Sequence, residues 1–145
     1  MAGGPGRKIM RSIPRLAVAG LALLASGAMP REAGLDVLEK VQPGVWRLHE
    51  IGSRAAGDSM CVRDPRLLLQ IHHRASQCAR FVVSTDARAV TVHYTCPGAG
   101  YGRSTLRLEQ PGLARIQTQG LARGAPFEVD YEARRGGACP GSGGD

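Results

Sequence analysis

Aromatic residues are scarce: one Trp, three Tyr and two Phe in 145 residues. Any core must therefore be filled mainly by Val, Leu, Ile and Ala. Long apolar runs are missing too. The longest, Leu16–Ala25, has ten residues, far short of the ~20 that a membrane-spanning helix needs. Close cysteine pairs are absent, since the four Cys are separated by 16, 17 and 42 residues. That argues against zinc. No G-x-S-x-G, H-E-x-x-H or Cys–His nucleophile signature occurs, so no enzyme class is named. The glycines at 98–102 lack the Lys-Ser/Thr and the following helix of a phosphate loop, and read as a turn. No internal repeat is visible.

The first positive feature is an export signal. Arg7, Lys8, Arg11 and Arg15 precede the apolar run, and Ser26-Gly27-Ala28 comes after it. A basic region, a short apolar region and small residues at the −3 and −1 positions are the three parts of a secretory signal peptide. Residues 1–28 are expected to be removed between Ala28 and Met29. No Cys lies near the cut, so attachment of lipid at a mature N-terminal Cys is excluded, and the arginines are not arranged for twin-Arg export. The formal charge of +7 would then fall to +3, with 15 basic residues against 12 acidic ones. A small charge spread along the chain is a solvated surface and not a footprint for nucleic acid. A periplasmic protein with no membrane span after cleavage is the expectation.

All four cysteines, Cys61, Cys78, Cys96 and Cys139, lie in the exported part, and two disulfides are the default in an oxidising compartment. Two pairings stand out. Cys61–Cys78 with Cys96–Cys139 is slightly favoured because the first would close a loop around a short helix. The rival is Cys78–Cys96 with Cys61–Cys139, which a hairpin turning at Asp86-Ala87-Arg88 would create by placing Cys78 opposite Cys96.

The expected organisation is a lead-in at 29–42 with one helical turn from Leu35 to Val41, a single β domain at 43–139, and a disordered tail at 140–145. Val45–His49 alternates as a strand after the Pro43-Gly44 turn, with Trp46 and Leu48 inward. Gly52–Gly57 reads as loop. Asp64 can cap a helix that Pro65 opens and that continues to His73, with Leu67, Leu68 and Ile71 as its apolar stripe. Period-two segments then run over 80–85, 88–96, 103–110, 113–119 and 127–134. The fold class expected is mainly β (α+β): about six antiparallel strands in a curved meander or small barrel, with one short helix after the first strand.

Candidate chemistry is thin. His72 and His73 are adjacent on a helix and point roughly 100° apart, so they cannot chelate one ion together. His49 and His93 face outward on their strands. Glu128, Asp130 and Glu132 form an acidic ladder, with side chains ~7 Å apart, of the kind that a carboxylate pair in a glycosidase uses. The same pattern is also that of a solvated strand face paired with arginines. Trp46 is an aromatic platform or a core anchor, and its inward position favours the anchor. No cofactor, metal ligand set or catalytic residue is assigned.

Pro43-Gly44-Val45-Trp46, Cys61-Val62 followed by Asp64-Pro65, a second Cys before a strand, a third ending the next strand, and Gly136-Gly137-Ala138-Cys139 at the close together resemble domain-of-unknown-function family 3617. The resemblance covers residues 43–139. It implies a small exported protein of Gram-negative bacteria with a mostly antiparallel β domain, and brings no activity, ligand or catalytic residue. The function expected is a non-enzymatic binding or interaction module of the cell envelope, whose partner is a small molecule, an envelope component or a protein. The alternative is a small envelope hydrolase using Glu128, Asp130 and Glu132 with His49 or His93.

Overall fold

Alternating apolar and polar residues give each segment one face to bury, and seven such segments pair into one antiparallel sheet. The strands are β1 (Gly44–Glu50), β2 (Asp58–Val62), β3 (Ala79–Thr85), β4 (Ala89–Cys96), β5 (Gly100–Gln110), β6 (Leu113–Ala122) and β7 (Ala125–Gly137). They lie in the order β2-β1-β7-β6-β5-β4-β3, open at both edges. The computed structural model describes residues 1–4 and 34–141. Residues 5–28 of the expected signal peptide, the expected cleavage position at Ala28 and Met29, the start of the lead-in and the tail from 142 lie outside the described residues.

Of the two expected forms, the open meander is found and not the closed barrel, and the strands among the described residues number seven and not about six. The extra one is β2, which pairs with β1 from Gly44↔Val62 to Leu48↔Asp58. Its five residues begin Asp-Ser, a loop-like start, yet Met60 and Val62 are buried while Ser59 and Cys61 are exposed. The expected helix is also absent. Asp64 does cap, its side chain accepting the Arg66 N–H at 3.0 Å with Pro65 in the first position. Two short 3-10 helices, Pro65–Leu69 and Ile71–His73, take the place of the helix and come after the second strand. The tighter 3-10 winding shifts the buried stripe to Leu68, Leu69 and Ile71, leaving Leu67 only partly covered. A third 3-10 helix, Asp36–Lys40, forms the helical turn expected in the lead-in.

These short helices cover one face of the sheet. Val37, Leu38, Leu68, Leu69 and Ile71 from the helical layer pack with Trp46, Leu48, Val92, Tyr94, Leu106 and Ile116 from the strands. Trp46 is 0% exposed and its Nε1–H donates to the Gln42 carbonyl at 3.0 Å, so it anchors the core and is no platform for a ligand. Gly102 sits directly over the Tyr94 ring, where any Cβ would overlap the phenol. The opposite face of the sheet carries polar side chains and is covered by none of the described elements.

The disulfides join Cys61 to Cys139 and Cys78 to Cys96, which corrects the favoured pairing. The hairpin decides it. Asp86 accepts the backbone N–H groups of Arg88 and Ala89 at 2.7 and 2.8 Å, closing a three-residue turn. That turn sets Ala79 opposite Thr95, so Cys78 meets Cys96. At the other end, Cys61 lies opposite Val45, which is itself paired with Gly137, two residues before Cys139.

Candidate functional site

Two clefts lie on opposite faces of the sheet. The first is on the core face, where the Ile71–His73 helix meets the ends of β1, β6 and β7. It encloses about 550 Å³. Leu48, Ile71, Ala99 and Ala122 supply apolar wall, while Asp58, His72, Arg74, Ser76, Arg123 and Tyr131 bring polar groups to it. The local backbone explains the geometry. Ala122 pairs with Ala125, leaving Arg123 and Gly124 as a two-residue turn with φ of 51° and 81°, the left-handed pair that matches strand twist. This turn projects Arg123 at the mouth.

His72 and His73 diverge, as adjacent residues must. His73 is buried and fixed at both nitrogens, with Nε2 at 3.2 Å from the Ala99 carbonyl and Nδ1 at 3.2 Å from the Tyr94 hydroxyl. A carbonyl only accepts, so Nε2 carries a hydrogen toward Ala99, while Nδ1 is held by the Tyr94 hydroxyl. His73 is therefore structural. His72 turns the other way, stacks on Phe127 at 4.1 Å between ring centroids and places Nε2 at 3.4 Å from the Tyr131 hydroxyl. Burial, aided by the charges of His73 and Arg74, lowers the His72 pKa below 6.5. Burial also raises the Tyr131 pKa, with Glu50 and Asp58 adding to the effect. Both groups are thus neutral at neutral pH and present a matched donor and acceptor to the cleft. Arg74 is tied to Asp58 at 3.1 Å, so Arg123 is the one charged group of this mouth with no partner among the described residues.

The second cleft is on the open face, about 480 Å³, and holds part of the acidic ladder. Its walls include Arg103, Thr105, Gln117, Gln119, Glu128 and Asp130. Glu132 is excluded, since Arg134 Nε donates to its carboxylate at 2.8 Å. That hydrogen bond, with the nearby positive charges, lowers the Glu132 pKa. His49 lies opposite Glu132 at the β1–β7 pair. His93 stands farther off, with Arg103 and Gln119 between it and Glu128 across β5 and β6. The structure thus brings Glu128 and Asp130 together, places His49 beside the paired Glu132, and leaves His93 away from all three acids.

The His72–Tyr131 contact is missed by sequence reasoning, because the two are 59 residues apart and meet only through the β1–β7 pairing. The signal available was Tyr131 facing inward beside a helix end that carries His72. Among the described residues no three His, Cys, Asp or Glu side chains gather closely enough to hold a metal ion, and no helix is long and apolar enough to cross a membrane. No family model, no curated protein and no solved structure matches this chain.

Proposed function

We propose that this chain is an exported periplasmic binding module of the cell envelope, without catalytic activity, and that the core-face cleft beside His72 takes a small molecule. Two disulfides fit an oxidising, exported compartment. The resemblance to family 3617 and the signal-peptide pattern of residues 1–28 place that compartment, in this reading, in the periplasm. The observation that carries the binding role is the composition of the cleft. A partly apolar wall with a few convergent polar groups, two of them with shifted pKa values, is the usual make-up of a ligand pocket. His72 and Tyr131 supply direction, Arg123 supplies one positive charge, and Leu48 with Ile71 supplies apolar surface. A neutral or singly anionic molecule with an apolar body fits these groups.

Native, non-reducing mass spectrometry of protein exported to a bacterial periplasm tests the reading. The expected species begins at Met29, has no free thiol and carries a defined extra mass that is lost on denaturation. Ala122→Trp, which fills the cleft, removes that extra mass. Four free thiols would overturn the compartment, and a ligand retained by Ala122→Trp would overturn the site.

A further inference from the structure

The open face of the sheet holds one region where five long or charged polar side chains are unclaimed, while its Thr105 is bonded to Thr91 at 2.9 Å. Arg103, Gln117, Gln119, Glu128 and Asp130 line the same cleft, and no side chain among them has a hydrogen bond or ion pair to a described residue. One oxygen, Asp130 Oδ1, is shut off from solvent without any donor. Two acids elsewhere on this face are paired, Glu132 with Arg134 at 2.8 Å and Glu109 with Arg107 at 3.5 Å. Glu128 and Asp130 differ from those acids in having no such partner, and Asp130 has a buried oxygen still to be met.

Register extends the cleft sideways. Phe81 is opposite His93, His93 opposite Arg103, Arg103 opposite Gln119, and Gln119 opposite Glu128. Four inter-strand steps make this row roughly 19 Å long. One end is aromatic: Phe81 is 71% exposed and Tyr101 47% exposed, and Tyr101 stacks over His93 with 6.2 Å between ring centroids.

We infer that this row binds a polyhydroxylated chain, an oligosaccharide, with its rings stacked on Tyr101 and Phe81 and its hydroxyls bonded by the cleft. The chemistry selects this class. Vicinal hydroxyls donate and accept side by side, which is what carboxamides, carboxylates and a guanidinium answer two at a time. The apolar side of a sugar ring covers an aromatic face that water wets poorly. A phosphate polymer would meet the Glu128 and Asp130 charges. An apolar ligand would strip five polar groups of water without replacing their bonds. A peptide strand adds at a sheet edge, where backbone groups are free, and not across a face.

An array of neutral and charged oligosaccharides, followed by calorimetry of the best binder, is the test. Gln119→Ala and Tyr101→Ala, both at exposed positions, are each expected to weaken binding about tenfold or more, the worth of one well-made contact. Their melting temperatures should match the parent's, which separates lost contacts from lost fold. Ala122→Trp, on the other face, should leave oligosaccharide binding unchanged, so this inference and the core-face reading fail independently. An array on which nothing binds, or binding that both variants retain, overturns the proposal. Selective capture of peptides by the same residues overturns it as well.

Discussion

A single ring nitrogen separates the two neighbouring histidines. His73 spends both nitrogens inside the fold, whereas His72 offers one to Tyr131 and leaves the other toward the cleft. The lowered His72 pKa has a consequence for stability. In the unfolded chain the imidazole takes its proton near pH 6.5, but in the folded chain only at a lower pH, because burial and the charges of His73 and Arg74 outweigh the opposing Glu50. Between those two values the unfolded state binds more protons, so acidification favours unfolding. The stabilisation is complete above pH 6.5 and is lost as pH falls through the folded value. Asp86, whose carboxylate is held down by the Arg88 and Ala89 N–H groups, and Glu132, held down by Arg134, titrate below the usual carboxyl range and leave this window clear. Melting curves at pH 8 to 5, read from the fluorescence of Trp46, should therefore show the parent losing stability relative to His72→Gln only below about pH 6.5. A difference that stays flat across the range would contradict the assignment.

Strands were legible wherever the period-two pattern ran long and the turn chemistry was strong, as from Asp86 to Ala133. β2 was not, because five residues opening with Asp-Ser carry little pattern and its pairing with β1 is a tertiary fact. The helix expected over 65–73 became two 3-10 segments since Gln70 breaks the run: its backbone leaves helical angles and its side-chain amide donates to the His73 and Ser76 carbonyls. The acidic ladder was legible as a face but not as a site, because only the order of the sheet shows that Gln119 and then Arg103 lie beside Glu128, while His49 meets only the paired Glu132. The disulfides depended on the same order. Cys78–Cys96 closes a separation of 18 residues and Cys61–Cys139 one of 78. Loop-closure entropy alone assigns about 3 kcal/mol to the first and about 4.5 kcal/mol to the second. Their locations differ more than their energies. Cys78–Cys96 clamps the edge strand β3 onto a neighbour it already pairs with, so Cys78→Ser with Cys96→Ser should speed amide exchange in 79–85 by roughly tenfold or more while 113–134 stays protected. Cys61→Ser with Cys139→Ser should instead lower protection throughout. Equal effects of both pairs on β3 would refute this division.

The topology divides the whole molecule into two blocks of unequal difficulty. β3 to β7 are neighbours in space in the same order as in sequence, joined by turns of two or three residues, so each pairing closes a short loop. The β1–β2 hairpin instead docks onto β7, bringing Val45–Glu50 against Tyr131–Gly137 across most of the domain. Loop-closure entropy must be met before such a distant contact returns anything. The five-strand meander should therefore gain protection first and β1 last. With Cys61–Cys139 intact the hairpin is already tethered beside the end of β7, and the lag is short. Cys61→Ser with Cys139→Ser removes the tether, so the lag for β1 amides should lengthen while the meander forms at an unchanged rate. Both clefts draw on this last step, because the core-face cleft takes a wall from Leu48 and the open-face cleft takes Glu50 and Ile51 from the same end of β1. Pulsed hydrogen exchange during refolding reads the order directly. If β1 and β5 gain protection together in the untethered variant, the meander does not fold as a block and the sheet assembles in one cooperative step.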